Sequence, residues 1–381
     1  MKRFIKILKR TMLIILSVIL VLALITVVYI QQPQFGKHPE GARLALIERS
    51  PHYKDGRFRN RFERPTISEG YSIMGELYKT VFKSYPSRQP IDSLPSVKTD
   101  LKQLPVDSNL VIWMGHSTIF MQLNGKKILV DPVFSGKASP LPWGVKAYKG
   151  SDIYTTADMP EIDYLIISHD HYDHLDYETV VALKDKVKKV ICGLGVGAHF
   201  EYWGYSPAQI IEKDWYEKIE IDTDLVIHTE PTHHDSGRGF KRGKTLWMSY
   251  MIQTPQMKIY ISGDGGFDNR FAEIGKKYGP IDWAIIEDGQ YDKAWQSVHN
   301  LPEEVMQAAL DLQAKNVLPV HHSKFTLGKH PWNEPLKRIT ELSAGKSYHL
   351  VTPMIGQAVD LKDSTKIFPQ WWVEKDLESA K

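Results

Sequence analysis

The stretch SHDHYDHLD, residues 168–176, constrains this chain more than any other part of its sequence. It places His169, His171, Asp173 and His174 directly after the run YLIIS, which is typical of a buried strand. Two histidines two residues apart on a loop can converge on one metal ion, while Asp173 and His174 turn toward a second. Neutral imidazole and ionised carboxylate suit zinc and similar divalent ions. The stretch therefore predicts a metal centre at the end of a strand.

Further metal-capable side chains also follow predicted strands. His233 and His234 come after the strand-like run DLVI. Asp264 lies among glycines in YISGDGG, and the pair His321 and His322 ends VLPVHH. Loops on a rigid scaffold commonly carry the site residues of a protein. A carboxylate such as Asp264 can bridge two cations, and the glycines permit close backbone approach, so these residues can complete two metal shells.

Composition narrows the kind of metal site and the kind of partner. The single cysteine, Cys192, excludes an intramolecular disulfide framework and a cysteine-based zinc cluster, and we expect it to be buried as a small apolar side chain. The formal net charge is only +3 over 381 residues, and there is no long basic stripe. We therefore expect no nucleic-acid partner.

The N-terminal segment predicts a membrane anchor. Five basic residues in MKRFIKILKR precede residues 11–30, TMLIILSVILVLALITVVYI, which carry no charge. A helix of that length spans a hydrocarbon core of about 30 Å. A cleaved signal peptide is the alternative, but its apolar region is usually shorter and ends in small residues. Basic residues before the span favour a cytoplasmic N-terminus, so we expect a single-pass protein with its catalytic domain on the extracytoplasmic side.

The sequence pattern divides the chain into an anchor at residues 1–30, an arm at residues 31–108 and a main domain at residues 109–381. The arm is rich in Pro, Gly, Arg and Lys and shows little periodicity, so we expect it to be extended and to pack on the main domain. Asn124–Gly125 between two apolar runs predicts a hairpin. Two strand-rich halves, each ending in helices, predict an α/β fold, the four-layer αββα sandwich.

The order of these motifs resembles that of the metallo-β-lactamase superfamily, whose fold is the αββα sandwich. SHDHYDHLD is followed by PTHHDSGRG, SGDGG and PVHHSKF. Within the superfamily, WMGHSTIFMQLNGKKILVDPVFSGKASP, KTLWMSY and HNLPEEVMQAALDLQAKNVLPVHHSKFTL resemble the branch of N-acyl-phosphatidylethanolamine-hydrolysing phospholipase D and its bacterial relatives. The resemblance extends from Gln34 to Thr352 and is more specific for the fold than for the substrate.

The resemblance implies two divalent ions per chain and a set of ligands for each. The first ion is assigned to His169, His171 and His234. The second is assigned to Asp173, His174 and His321, with Asp264 bridging both. Zinc is the expected metal, with manganese and iron as alternatives, because all three accept histidine and aspartate ligands.

At the two histidine doublets the branch usually has P-A-Q-H-W-S-G-R and H-W-G, so its ligands align with His234 and His321. We therefore expect His233 and His322 to support a ligand, to contact the substrate or to lie on the surface.

Two further histidines and three departures from the branch surround this set. His116 in MGHS is expected to orient a ligand or touch the substrate, with a structural role as the alternative. His299 is expected at the pocket, where it would bind a phosphate oxygen or assist the leaving group, with packing at a helix entry as the alternative. Asp235, His322 and Lys324 depart from the usual residues of the branch, are expected beside the site and are expected to affect substrate preference.

The expected chemistry is hydrolysis without a protein nucleophile. Two cations about 3.5–4 Å apart can hold a bridging water, lower its pKa and clamp the attacking and leaving oxygens. Asp264 and Asp173 would keep that nucleophile aligned. We expect a membrane-anchored hydrolase, a phosphodiesterase of phospholipase D type that acts on N-acylated or other glycerophospholipids. Two alternatives are a lactone or amide hydrolase on the same metal site and a non-catalytic metal-binding envelope protein.

Overall fold

The computed structural model describes residues 1–222, 224–363 and 365–373, so residues 374–381 of the predicted main domain lie outside the described residues. The α-helices are α1 Lys2–Tyr29, α2 Gly41–Ile47, α3 Ile73–Phe82, α4 Tyr177–Leu183, α5 Gly197–Tyr202, α6 Arg270–Tyr278, α7 Pro302–Asp311 and α8 Glu334–Ser343. The strands are β1 Tyr53–Lys54, β2 Arg57–Phe58, β3 Leu110–Trp113, β4 Ile119–Leu123, β5 Lys126–Val130, β6 Ile162–Ile167, β7 Val187–Gly193, β8 Ile210–Lys213, β9 Lys218–Asp222, β10 Leu225–Glu230, β11 Ser249–Gln253, β12 Lys258–Ile261, β13 Ile281–Glu287, β14 Ala314–Val320, β15 His349–Leu350 and β16 Ala358–Asp360.

Two seven-stranded mixed sheets form the body of the fold. The first has the strand order β16-β3-β4-β5-β6-β7-β8, and the second has the order β15-β14-β13-β12-β11-β10-β9. Strands β5 to β8 are parallel in the first sheet, and strands β12 to β15 are parallel in the second. The carboxyl ends of parallel strands lie at one edge of a sheet, so the loops after β6, β12 and β14 emerge where ligands usually bind in such folds.

The two sheets face each other across a shared apolar core. Trp113 on β3 and Ile166 on β6 belong to the same buried cluster as Tyr250 on β11, Ile285 on β13 and Leu318 on β14. Side chains alternate between the two faces of a strand, so each sheet also has an outward apolar face that must be covered. Full burial of an aliphatic or aromatic side chain contributes about 1.5–3 kcal/mol, which makes this inter-sheet layer a principal source of stability.

Helices cover both outward faces. On the first sheet, Leu165 of β6 packs in a cluster with Leu183 of α4 and Phe200 of α5. On the second sheet, Ile286 of β13 packs in a cluster that includes Val305 of α7 and helices α6 and α8. The sandwich therefore has four layers, helix, sheet, sheet and helix, as the sequence predicted.

Local features of the first sheet follow from its sequence. Strands β4 and β5 pair so that Leu123 lies opposite Lys126. Asn124 and Gly125 between them have φ angles of 47° and 76°, and positive φ at both central residues is what a tight type I′ turn requires. The predicted hairpin is confirmed. Cys192 on β7 is buried, as expected.

The segment 31–108 differs from the expected extended arm because it contains α2, α3 and the short β1–β2 ribbon. Helix α3 begins after Ser72, whose side-chain oxygen accepts a hydrogen bond of 3.0 Å from the Gly75 amide, a typical N-cap. The segment also contacts the sandwich near both ends. The Lys37 amide donates to His199 Nδ1 at 3.0 Å, and the Val97 amide donates to the Ile355 carbonyl at 2.9 Å.

Helix α1 is exposed along its length. Of the helices that the structure describes, it is the one whose length and composition would allow it to cross a membrane. No residue of α1 is buried by other parts of the described chain. At its end, the Tyr29 hydroxyl donates to the Pro140 carbonyl at 3.0 Å, and the Tyr29 ring contacts Phe35. The Phe35 ring in turn lies 6.2 Å from that of Tyr172, which belongs to the SHDHYDHLD stretch.

Candidate metal centre

The predicted ligands converge at the loops that follow β6, β10, β12 and β14. Four overlapping groups of side chains have ligand atoms within 4.8 Å of one another, and one of them consists of Asp264, Glu287, His299 and His321. The other three contain all the predicted ligands. One group consists of His169, His171 and His234. Another consists of His116, Asp173, His174 and His321. The third consists of His169, His174 and Asp264, and it connects the other two. The structure thus brings together every side chain that the sequence assigns to the two ions.

Buried polar atoms in this cluster lack hydrogen-bond partners among the described residues. They are Nε2 of His174, Nε2 of His321 and Oδ1 of Asp264. The other carboxylate oxygen of Asp264 lies 3.1 Å from His174 Nε2 and 3.3 Å from His321 Nε2. An unpaired buried polar atom costs roughly 1–3 kcal/mol, and cations bound between these atoms would satisfy all of them. The residues present therefore fit a metal centre.

In four of the five histidines assigned as ligands, the ring nitrogen that faces away from the cluster is held by a hydrogen bond. The pairs are His169 Nδ1 with Ser168 Oγ at 3.0 Å, His174 Nδ1 with Asp131 Oδ2 at 2.9 Å, His234 Nδ1 with the Val298 carbonyl at 3.0 Å, and His321 Nδ1 with Ser117 Oγ at 3.0 Å. Such contacts fix the tautomer and the orientation of a metal-binding imidazole. In each case Nε2 is the atom left for the cluster.

Asp131 is the carboxylate partner in this set, and we expect its replacement to weaken metal binding. Its Oδ2 accepts from His174 Nδ1, and its Oδ1 accepts from the Ser168 amide at 2.8 Å. In Asp131→Asn, the NH2 group of the new side chain could face His174 Nδ1. It would then favour the tautomer with its proton on Nε2, the nitrogen that is needed for the metal. We expect zinc affinity to fall about 10–100-fold, measured by competition with a chelator. Asp185→Asn, at an exposed carboxylate, is the control. Unchanged affinity in Asp131→Asn would contradict this role.

Burial and charge set suitable protonation states for most of the cluster. Burial and the neighbouring imidazoles lower the pKa of His169, His234 and His321 well below the usual value, so these rings are neutral at neutral pH. Burial alone would raise the pKa of Asp173, but His174 holds it well below its usual range. Neutral imidazole and ionised carboxylate are the forms that bind metal.

His174 is charged in the metal-free chain. Burial opposes that charge, but the carboxylates of Asp264 and Asp173 outweigh it and raise the pKa of His174 well above the usual value. A proton on His174 offsets the negative charge that these two aspartates concentrate in a buried space. Metal binding would release that proton, because the ligand must be neutral imidazole.

His116 and His299 both reach the cluster, as the sequence predicted. His116 Nε2 lies 2.8 Å from Asp173 Oδ2, so it orients that carboxylate. The His299 ring lies 5.2 Å from those of His234 and His321, measured between centroids. Its Nδ1 lies 2.9 Å from Oε2 of Glu287, a fully buried residue that the sequence did not single out. The one signal for Glu287 in the sequence is its position at the end of the predicted strand IDWAIIE.

Burial and charge also couple Glu287 with His299. Burial raises the pKa of Glu287 to about 7, and the nearby Asp264 carboxylate acts in the same direction. Burial would lower the pKa of His299, but Glu287 and Asp264 raise it to about 9. The pair therefore shares a proton beside the cluster in the metal-free chain.

In each doublet, the histidine that is not assigned as a ligand turns away from the cluster. His322 Nε2 lies 3.3 Å from the Pro319 carbonyl, and the His322 ring packs on Trp113. His233 lies 3.8 Å from Asp268, and neither histidine belongs to a metal-capable group. Both side chains are buried, so of the expected alternatives neither histidine takes the surface position.

Lys324 and Asp235, the other two departures from the branch, have different surroundings. Lys324 is buried, and its ammonium donates to the Val133 carbonyl at 2.8 Å and pairs with Asp152 at 2.9 Å. It therefore ties two loops together and does not face a substrate. Asp235 does lie beside the cluster, because its Oδ1 is 3.4 Å from His171 Nε2.

Several residues that hold the ligand loops were not identified from the sequence. Asp170, inside the histidine motif, accepts from His199 Nε2 at 3.1 Å, from the Gly237 amide at 2.6 Å and from Thr245 Oγ1 at 2.9 Å. It is buried, and although burial opposes ionisation, His199 above all lowers its pKa far below the usual range. The position of Asp170 between two predicted ligands was a signal in the sequence. Its partners could not be predicted because they are distant in sequence.

Asn60 of the arm clamps the loop that carries His234. Its amide nitrogen donates to the His234 carbonyl at 2.8 Å, and its amide oxygen accepts from the His234 amide at 3.2 Å and from Trp247 Nε1 at 2.9 Å. The backbone of a predicted ligand is thus fixed by a residue more than a hundred positions earlier. No local pattern in the sequence indicates such a contact.

Three residues at the site have strained backbone conformations. His116, Asp131 and His321 have positive φ angles of 52°, 43° and 70°. Such conformations cost a non-glycine residue about 1–3 kcal/mol and persist only where the surroundings enforce them. Here, the His321 amide donates to the His116 carbonyl at 2.8 Å, and the His116 amide donates to the His322 carbonyl at 3.0 Å. These hydrogen bonds fix the positions of the two loops relative to each other.

Comparison with known proteins gives a family and several relatives. A family model described as a beta-lactamase superfamily domain matches residues 126–322. An uncharacterized protein of Mycobacterium tuberculosis is 32% identical over 332 residues, which cover 86% of this chain and 89% of that protein. The N-acyl-phosphatidylethanolamine-hydrolyzing phospholipase D 1 of Caenorhabditis elegans is 29% identical over 308 residues, which cover 75% of this chain and 84% of that protein.

One solved structure also shares the fold. The diiron beta-hydroxylase CmlA from Streptomyces venezuelae superposes with a TM-score of 0.52 at 17% sequence identity. The match covers 68% of this chain and 55% of that chain. At this identity the similarity concerns the fold alone.

Proposed function

Since this chain belongs to the β-lactamase superfamily and is a metal-dependent hydrolase, we propose that it is a dinuclear phosphodiesterase of phospholipase D type that acts on N-acylated or other glycerophospholipids. The observation that carries the proposal is the convergence of histidine and aspartate ligand atoms in one buried cluster. The relative from Caenorhabditis elegans, named for hydrolysis of N-acyl-phosphatidylethanolamine, supports the class of substrate.

In this proposal each ion has its own ligands, and Asp264 serves both. The first site consists of His169, His171 and His234. The second consists of Asp173, His174 and His321. When bound, two divalent ions would supply an activated water as the nucleophile and neutralise the charge that develops on the phosphoryl oxygens. Zinc is the proposed metal, with manganese or iron as the alternatives that the same ligands accept.

The protein's own side chains would orient the nucleophile and the leaving group. Asp173, held by His116 at 2.8 Å, would accept a hydrogen bond from the attacking water and keep it in line with phosphorus. His299, whose Nδ1 donates to Glu287, would direct Nε2 toward a phosphoryl or leaving-group oxygen. Glu287 is therefore proposed as a positioning residue that acts through His299.

Two apolar surfaces adjoin the loops of the metal centre and support a lipid substrate. Helix α1 ends at Tyr29, which contacts the segment around Pro140, as described above. Helix α3 exposes six large apolar side chains on one face: Ile73, Met74, Leu77, Tyr78, Val81 and Phe82. It is anchored by an ion pair between Glu76 and Lys329, in the loop that follows His321. Apolar surface of this kind commonly marks a membrane or protein interface.

We propose the corresponding organisation in the membrane. Residues 1–30 would anchor the protein with a cytoplasmic N-terminus, residues 31–108 would form the arm, and residues 109–381 would form the hydrolase domain on the extracytoplasmic side. The anchor would concentrate the site at the surface where its lipid substrate lies. A cleaved N-terminal segment is the alternative for residues 1–30.

Hydrolysis assays on the full chain in detergent test the proposed reaction. We expect the zinc-loaded protein to release phosphatidic acid from N-acyl-phosphatidylethanolamine and aryl alcohol from a bis(aryl) phosphodiester, and we expect a chelator to abolish both activities. Mass spectrometry of the lipid products identifies the bond that is cleaved. Hydrolysis of lactones or amides without cleavage of either phosphodiester would contradict the proposal and favour the alternative hydrolase.

A further inference from the structure

A basic cavity lies directly beside the proposed metal centre. It has a volume of about 590 Å³ and is formed between arm residues 57–66 and the loop that follows β10. His234, a proposed ligand, is part of its wall. The two sides are joined by backbone, because the Phe58 amide donates to the Gly243 carbonyl at 2.8 Å. The cavity is therefore a formed feature of the fold, and His234 is the proposed ligand that borders it.

The wall of this cavity carries an excess of positive charge. Its four arginines are Arg57, Arg59, Arg64 and Arg242, and its carboxylates are Glu63 and Asp235. Arg59 pairs with Asp55 at 3.0 Å, and Arg242 pairs with Asp235 at 2.7 Å. Within the described ranges, neither Arg57 nor Arg64 forms an ion pair, and Arg64 donates only to the Phe267 carbonyl. These two guanidinium groups are available to an anionic ligand.

Arg242 and Asp235 connect the cavity to the metal centre. Arg242 Nη2 lies 3.1 Å from His171 Nε2, and Asp235 Oδ1 lies 3.4 Å from the same nitrogen. His171 and His234 are both proposed ligands of the first ion. A substrate whose phosphorus lies at the centre can therefore extend its next substituent into the cavity past these side chains.

The side chains of the cavity wall determine which class of substrate substituent can bind there. A guanidinium group offers two parallel donors that match the two oxygens of a carboxylate or phosphate, and it stays charged at all physiological pH values. An uncharged headgroup could form no charge-assisted pair with Arg57 or Arg64, whereas a carboxylate or phosphate could. The cavity therefore matches an anionic group and not a neutral one.

We propose that this cavity binds a second anionic group of the substrate, a carboxylate or a phosphate, beyond the phosphodiester that is cleaved. The inference rests on the proposed phosphodiesterase function and narrows its substrates to phospholipids with an anionic substituent near the scissile bond. Asp235, where the related branch has tryptophan, holds Arg242 at the entrance. Asp235 therefore lies at the position where substrate preference would be set.

Two soluble headgroup analogues that differ by one carboxylate test this inference. They are the methylene-phosphonate analogues of N-acetyl-glycerophosphoserine and N-acetyl-glycerophosphoethanolamine, in which carbon replaces the oxygen of the scissile bond, titrated calorimetrically into the zinc-loaded full chain. We expect the serine compound to bind at least about tenfold more tightly, because hydrogen bonds to charged groups are among the stronger ones. Arg57 and Arg64 are exposed to solvent, so this preference should shrink as salt is raised.

Single substitutions locate the preference in the cavity. Arg57→Gln and Arg64→Gln should each reduce the preference several-fold, whereas Arg49→Gln, at an exposed arginine outside the cavity, should retain it. Equal affinity for the two analogues, no binding of either, or a preference that survives both substitutions would overturn the inference. Hydrolysis of the bis(aryl) phosphodiester by the same preparation reports separately whether the proposed function holds.

Discussion

Replacing Asp264 by asparagine is expected to lower kcat/KM for phosphodiester hydrolysis on the order of 10³-fold, the scale associated with loss of a central electrostatic contact. The carboxylate lies between the two halves of the cluster, 3.1 Å from His174 Nε2 and 3.3 Å from His321 Nε2. Asparagine keeps the size of the side chain but loses the charge and one acceptor oxygen. Bound metal should therefore decrease together with activity.

Metal content and kcat/KM are to be measured on the same preparations of this variant. Asp107→Asn changes an exposed carboxylate in the same way and should leave both quantities unaltered. Full activity in Asp264→Asn, or wild-type metal content, would remove Asp264 from the bridging position that we propose.

Replacing Arg238 by methionine is expected to lower the free energy of unfolding by about 3–5 kcal/mol, because three carbonyl oxygens lose their charged donor and each buried unpaired group costs roughly 1–3 kcal/mol. The guanidinium is buried and donates to the Asp170 carbonyl at 2.9 Å, the Leu175 carbonyl at 2.6 Å and the Gln34 carbonyl at 2.7 Å. It thereby joins the loop after β10 to the metal loop and to the arm. Methionine fills much of the same space but leaves these carbonyls without their donor.

Denaturant titration with and without zinc measures this effect. Arg338→Met on α8 removes an exposed arginine with two ion pairs and should change the free energy of unfolding by no more than about 1 kcal/mol. A loss below about 1 kcal/mol for Arg238→Met would show that the network is not central to stability, given the typical cost of buried unpaired groups.

The fold was predictable because its strongest signals are local. Short apolar runs with turn residues between them identify the strands, and Asn124–Gly125 fixes one hairpin through its backbone preferences. The ligand motifs follow predicted strands, and parallel strands bring their carboxyl ends to one edge. Convergence of the side chains that follow β6, β12 and β14 is therefore a consequence of topology.

The features that were not predicted depend on contacts between distant parts of the chain. Strand β16 near the C-terminus pairs with β3, where Val359 lies opposite Val111, and no local pattern encodes that partner. The clamp of Asn60 on the His234 backbone and the pairing of Asp170 with His199 have the same origin. Helix α3 is an exception, because its N-cap Ser72 and the helical spacing of its apolar residues are local signals, but they lie within a segment rich in Pro, Gly, Arg and Lys.

The number of metal ions bound per chain tests the central claim most directly. The full chain, purified in detergent, is to be equilibrated with zinc, freed of excess metal and analysed by elemental mass spectrometry against protein concentration. The proposed ligand sets predict two zinc ions per chain, with hydrolysis appearing only as the second site fills. Saturation at one ion or fewer would contradict the dinuclear centre.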